Sequence, residues 1–138
     1  MRTIKKIQEE LIQDFEMFEN WMQKYEYLID LGRELAPISQ QHKTEENLIK
    51  GCQSKVWLNA EYTNGKIIFS ADSEAIMTKG IVALLINVLS NQTPKDIANA
   101  KLDFIDKLGL KEQLSVTRAN GLVSMIKKMK LYAIAFNN

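Results

Sequence analysis

The dipeptide Asn64-Gly65 stands between two runs of strand-forming residues, "VWLNAEYT" and "KIIFSA". A two-residue type I′ turn needs positive φ at both central positions, which Asn and Gly tolerate best, so this stretch predicts an antiparallel β-hairpin. Val56, Leu58, Ala60 and Tyr62 alternate with Lys55, Asn59 and Glu61, and Trp57 adds a large apolar group to the second face. Neither face of the first strand is then fully wetted.

The segments around the hairpin read as helices. Ile4, Ile7, Leu11, Ile12 and Phe15 recur at three- and four-residue steps and lay one apolar stripe along a helix that ends near Asp14 to Phe18. A second stripe of Trp21, Met22, Tyr25, Leu28, Ile29 and Leu35 follows, and Pro37 stops it. The polar stretch "SQQHKTEENLIK", Ser39 to Lys50, has no period of its own and predicts a connecting loop pinned by Leu48 and Ile49. After the hairpin, Asp72 or Ser73 caps "EAIMTKGIVALLINVLS", which is apolar nearly all round after Gly80 and so predicts a buried central helix, with Gly80 permitting close packing. Thr93-Pro94 opens a helix through "PKDIANAKLDFIDKLG" to Gly109, and Ser115 or Thr117 opens "RANGLVSMIKKMKLYAIAF", with its stripe of Leu122, Met125, Ile126, Met129 and Ala133. The expected class is α+β, a small antiparallel sheet including a hairpin packed against several α-helices, as one domain over residues 1–138.

Composition excludes several functions. Eighteen basic and seventeen acidic residues give a formal net charge of +1, so the whole-chain field makes no case for nucleic acid or an anionic membrane. Lys127, Lys128 and Lys130 read as a solvated helix face. "GIVALLINVL" is about half the length needed to span a bilayer, and the N-terminal stretch lacks the apolar core of a signal peptide. The expected location is the cytoplasm. One Cys and one His cannot complete a structural zinc site or hold an iron-sulfur cluster, and the six glycines never approach the spacing of a nucleotide-binding loop.

The single thiol lies in "GCQSKVWL", Gly51 to Leu58. A lone cysteine often serves as a small buried hydrophobe. Here Gly51 permits a backbone shape that presents the next side chain, the site lies at a loop-to-strand junction, and Lys50 and Lys55 could favour a thiolate. A Cys-His hydrolase pairing Cys52 with His42 lacks an orienting partner, and Asp72, Glu74, Asp103 and Asp106 form no convincing acid/base pair.

Four blocks, "YLIDLGRELAPI", "GCQSKVWL", "FSADSEAIMTKGIVALL" and "LGLKEQLSVTRANGLVSMI", resemble in order the SufE family, the sulfur acceptors of iron-sulfur cluster assembly. A related acceptor that serves a different desulfurase tends to read Gly-Cys-Glu-Asn at the cysteine, so Gln53-Ser54 favours SufE. The resemblance implies an accessory sulfur-transfer protein rather than an enzyme with its own substrate. Cys52 would receive sulfur as a persulfide from a PLP-dependent cysteine desulfurase of the SufS type and pass it to a SufB-containing scaffold complex. The PLP belongs to the partner and no cofactor or metal to this chain; a homodimer is compatible with it. Gly51, Gln53, Ser54, Glu74 and Arg118 would shape the surroundings of Cys52. Two positions depart from the family pattern: Val116-Thr117 precede Arg118 where proline and serine are usual, and Glu74 stands where aspartate is common. The alternatives of another class are a thiol-dependent redox enzyme or sensor using Cys52, and a non-covalent binding module that could dispense with it.

Overall fold

The computed structural model describes residues 2–52, 54–114 and 116–137, without the side chains of Gln113, Val116 and Thr117. Two helices come first, α1 (Ile4–Glu16) and α2 (Trp21–Glu34), then two short 3₁₀ turns at Gln40–His42 and Glu45–Asn47. The strands β1 (Val56–Thr63) and β2 (Lys66–Ser73) follow. The helices α3 (Ile76–Leu89), α4 (Pro94–Ala98), α5 (Phe104–Leu108), α6 (Leu110–Gln113) and α7 (Val116–Phe136) complete the chain. Among the described residues the sheet has two antiparallel strands, so the α+β class read from the sequence holds.

Asn64 at φ 53° and Gly65 at φ 82° make the expected turn, and the register runs from Thr63 opposite Lys66 to Val56 opposite Ser73. A two-stranded ribbon is marginal in water and needs a covered face. Val56, Leu58, Ile67, Phe69 and Ala71 supply that face, and α3 covers it with Ile81, Val82, Leu84, Leu85, Val88 and Leu89. Because α3 packs against α2, β2, α1 and α7, it is apolar nearly all round. Each of its fully buried leucines contributes about 1.5–3 kcal/mol, whereas a solvent-exposed ion pair such as Arg33 with Asp30 contributes at most ~1 kcal/mol. The core therefore determines the fold.

The α2–α3 seam is set by two glycines. A Cβ at Gly80 would lie 2.3 Å from the Leu28 carbonyl oxygen, and one at Gly32 would lie 2.9 Å from the Gly80 nitrogen. Leu28 and Gly32, one turn apart, form the buried line of α2. Met22, assigned to the apolar stripe by periodicity, is instead 66% exposed, because the seam follows the glycines.

Residues 94–109 correct a second expectation. The single helix divides into α4 and α5, and the intervening backbone finds partners far away in sequence. The Gln8 side chain donates to the Lys101 carbonyl and accepts from the Phe104 N–H, while Lys130 Nζ donates to the Ala100 carbonyl. Those bonds replace the missing helical ones and make a break there inexpensive. Thr93 caps α4 through its Oγ1 and Gly109 ends α5 in the left-handed region, as the sequence implies. At the start of α3 the capping differs from expectation: Ala75 is the N-cap, and Ser73 Oγ instead accepts from the Ala75 N–H while donating to the Lys55 carbonyl. Of the expected caps of α7, Ser115 lies outside the described residues and Thr117 falls within the helix, which begins at Val116.

Candidate functional site

The segment before Cys52 is held on several sides. Ile49 is buried, its N–H donates to the Val56 carbonyl at 2.8 Å, and Leu48 bridges to Trp57. Tyr132 of α7 donates to Asn47 Oδ1, and Lys128 to the Glu46 carbonyl. Lys43 pairs with Asp72 at 2.7 Å and lies over the Trp57 ring, and Lys79 of α3 reaches the same carboxylate at 3.4 Å. Burial acts upward on Asp72, but the Lys43 and Lys79 ammoniums and the Ser73 N–H together hold its carboxyl below the usual range. The Ile49–Val56 hydrogen bond fixes the chain on both sides of the short loop that carries Cys52.

Cys52 sits within that loop, half-buried, and donates its S–H to the Gly121 carbonyl of α7 in a long, weak contact of 3.8 Å. Gly51 has φ +92°, a conformation suited to glycine, and a Cβ there would meet Ser124 Oγ at 2.7 Å. The loop backbone thus rests directly on the 121–124 face of α7. Beside the thiol is a cavity of ≈ 50 Å³ lined by Cys52, Ser54, Thr78, Ile81, Arg118, Gly121 and Met125. Two of these come from α3 and three from α7.

Burial pushes the Cys52 thiol above its ordinary pKa. The expectation that Lys50 and Lys55 favour a thiolate is therefore corrected. Both side chains are solvent-exposed, where water screens their charge, and desolvation dominates. A thiol held this way is protonated at neutral pH and is a weak nucleophile until it is exposed.

Of the residues singled out by sequence, Cys52, Ser54 and Arg118 meet at this cavity and Gly51 shapes the loop. Glu74 does not line it; its side chain is exposed and its N–H donates to the Lys55 carbonyl, which fixes the exit of the loop. Gln53 lies outside the described residues. Thr78, Ile81, Gly121 and Met125 were not singled out, since Ile81 and Met125 read as core and Thr78 as an ordinary helix residue. An isolated glycine within a helical pattern, as at 121, was the one available signal. His42 is absent from the cavity lining, and its carbonyl accepts from Asn47 Nδ2.

A larger, shallower groove of ≈ 610 Å³ runs between residues 45–50 and α7, lined by Leu48, Lys50, Ser124, Lys127 and Leu131 among others. Cys52 is not part of its lining, so the smaller cavity, which holds the thiol, is the chemically informative one. Among the described residues no group of three or more His, Cys, Asp or Glu is placed to hold a metal ion, and no helix is long and apolar enough to cross a membrane.

Comparison with known proteins agrees with this architecture. The family model described as the SufE, Fe-S metabolism associated domain matches residues 9–133. An uncharacterized SufE-like protein of Synechocystis sp. is 36% identical over 126 residues, covering 91% of this chain and 79% of its own length. The SufE-like protein 1, chloroplastic/mitochondrial, of Arabidopsis thaliana is 37% identical over 127 residues, again 91% of this chain but 34% of that longer protein. A solution structure of a hypothetical protein from Thermus thermophilus superposes with a TM-score of 0.78 over 94% of both chains at 17% identity, which bears on the fold alone. With the family model and both relatives spanning the hairpin, the cysteine loop and the α7 face on which it rests, the chain belongs to the SufE family, whose domain is associated with Fe-S metabolism.

Proposed function

We propose that this protein, as one SufE-like domain over residues 1–138, is a sulfur acceptor and carrier whose Cys52 takes sulfane sulfur from a PLP-dependent cysteine desulfurase of the SufS type. It then passes the sulfur to a SufB-containing scaffold complex for iron-sulfur cluster assembly, in the cytoplasm. The Cys52 thiolate attacks the outer sulfur of the donor persulfide. The donor S–S bond breaks, the donor cysteine leaves as a thiolate, and Cys52 carries the S–SH group with no net oxidation. The same exchange, with Cys52 as the leaving thiolate, delivers the sulfur onward.

The observation that carries this reading is the setting of the thiol: a single cysteine on a short loop with fixed ends, turned onto Gly121 beside a small cavity. One water needs about 10–15 Å³ on the same measure, so ≈ 50 Å³ leaves room for one further sulfur atom. With no second thiol in the chain, a persulfide cannot collapse into an internal disulfide. A thiol redox enzyme or sensor has less support, since such cysteines are usually exposed and of low pKa, whereas Cys52 is half-buried and burial raises its pKa. Gln53-Ser54 favours this pathway over that of a related acceptor serving a different desulfurase.

The test mixes the purified protein with a cysteine desulfurase and cysteine and weighs the intact chain. The wild type gains the mass of sulfur and Cys52→Ser gains none; equal labelling of the two removes the acceptor assignment. The inward position further requires that docking expose the thiol, a population shift driven by tighter binding of the open loop. Iodoacetamide should therefore modify free Cys52 more slowly than it modifies a small thiol, and faster once a desulfurase unable to supply sulfur is added. Slower modification in the presence of that partner means simple occlusion and rules out the opening step.

A further inference from the structure

Gly121 stands where a helix gains nothing from glycine. In a helix interior glycine is less favourable than alanine by about 1 kcal/mol, yet residue 121 is buried within the 21-residue α7. The structure gives a local reason for it. A Cβ at this position would lie 3.2 Å from Cys52 Sγ and 3.8 Å from both its Cα and Cβ. The same residue provides the carbonyl that accepts the S–H. One turn along, Ser124 Oγ occupies the space a Cβ on Gly51 would need. The helix face therefore holds two successive loop residues, one by lacking a side chain at 121 and the other by filling the space at 124.

We propose that Gly121 is a positioning residue for Cys52: the size of the side chain at 121 sets how much of the time the thiol is turned inward. This rests on the sulfur-acceptor reading and adds to it the element that regulates access. A sulfur-to-carbon approach of 3.2 Å is closer than ordinary van der Waals contact, so the neighbour has to give way. The loop between the fixed ends at Ile49 and Val56 can do so more readily than a continuous helix. An added methyl should then favour the outward thiol, and once outward the sulfur is rehydrated and ionises more easily.

The experiment is Gly121→Ala in the free protein, read in two ways. In the first, iodoacetamide modification of Cys52 is followed across pH. The variant should react about tenfold faster near neutral pH, equivalent to ~1.4 kcal/mol in the inward/outward ratio, and the midpoint of its pH profile should fall below that of the wild type. In the second, melting temperatures are compared in the Cys52 and Cys52→Ala backgrounds. With the sulfur present the methyl lowers the melting temperature or leaves it little changed; with the sulfur removed the helix preference for alanine raises it. Unchanged modification kinetics and pH midpoint, or the same temperature shift in both backgrounds, would overturn the proposal. A variant that folds only when Cys52 is also replaced shows the same coupling in extreme form, and one that folds in neither background overturns it. Failure of the sulfur-acceptor reading is seen separately, in the mass of wild-type protein after incubation with desulfurase and cysteine, where residue 121 is unaltered.

Discussion

Cys52→Ser should leave cysteine turnover by the partner desulfurase at the rate of the desulfurase alone, at every concentration of the variant, while the wild type raises it. The expectation follows from the exchange chemistry. A desulfurase that holds its sulfur as a persulfide turns over again only when that sulfur is removed, and removal needs a nucleophile that forms a new S–S bond. Serine has no thiolate to offer and yields no persulfide, so the loss is complete rather than graded. The substitution changes one atom at a half-buried position that contributes a weak S–H···O bond to Gly121. The fold and the outer surface of the loop should survive it, and an excess of Cys52→Ser should compete with the wild type for docking and suppress its stimulation. A melting temperature within a few degrees of the wild type is the control. Stimulation by the variant equal to that of the wild type would show that binding alone activates the enzyme, leaving Cys52 without the proposed role.

What could be read from the residues depended on whether the signal was local. Asn64-Gly65 specifies its turn through its own φ preferences, and the hairpin formed with the expected register. The apolar pattern of α3 after Gly80 is equally local, and the burial of Ile81, Val82, Ala83, Leu84, Leu85, Val88 and Leu89 bears it out. The break after Ala98 has no such signal. It depends on Gln8, whose side chain meets Lys101 and Phe104 across more than ninety residues of chain, and periodicity carries no trace of that contact. The site divides in the same way. Gly51 and Cys52 announce a presented thiol, but the surface that receives it comes from Gly121, Ser124 and Met125 of α7 and Thr78 and Ile81 of α3, brought there only by tertiary packing. The lysines beside Cys52 in sequence misled for a related reason. Nearness along the chain did not make their charges felt by a sulfur half-buried against α7.

Gly80→Ala should destabilise the protein by about 2–3 kcal/mol, although the substitution favours helix formation on its own. Two effects of opposite sign meet at this position. Helix propensity favours alanine by about 1 kcal/mol. Against that, the new Cβ would stand 2.3 Å from the Leu28 carbonyl oxygen and 2.8 Å from its carbonyl carbon, both backbone atoms of α2. No rotamer change relieves such a clash; α2 and α3 must separate, which loosens Leu28 and the buried leucines beside it. Overpacking of a core costs about 1–3 kcal/mol and occasionally more, and a backbone-to-backbone clash belongs at the upper end, so packing prevails over propensity. At roughly 3–4 °C per kcal/mol for a domain of this size, the melting temperature should fall by about 6–12 °C. Gly65→Ala provides the contrast, because nothing lies within 4 Å of its Cβ and only the positive φ opposes the change, at about 1–2 kcal/mol. The consequence reaches the thiol, since Thr78 and Ile81, on either side of Gly80 in the sequence of α3, line the cavity beside Cys52. A displaced α3 should therefore also alter the rate at which iodoacetamide modifies Cys52, measured well below the melting transition. A rise in melting temperature for Gly80→Ala would mean that the two helices part at little cost, and that the close glycine contact does not hold the seam together.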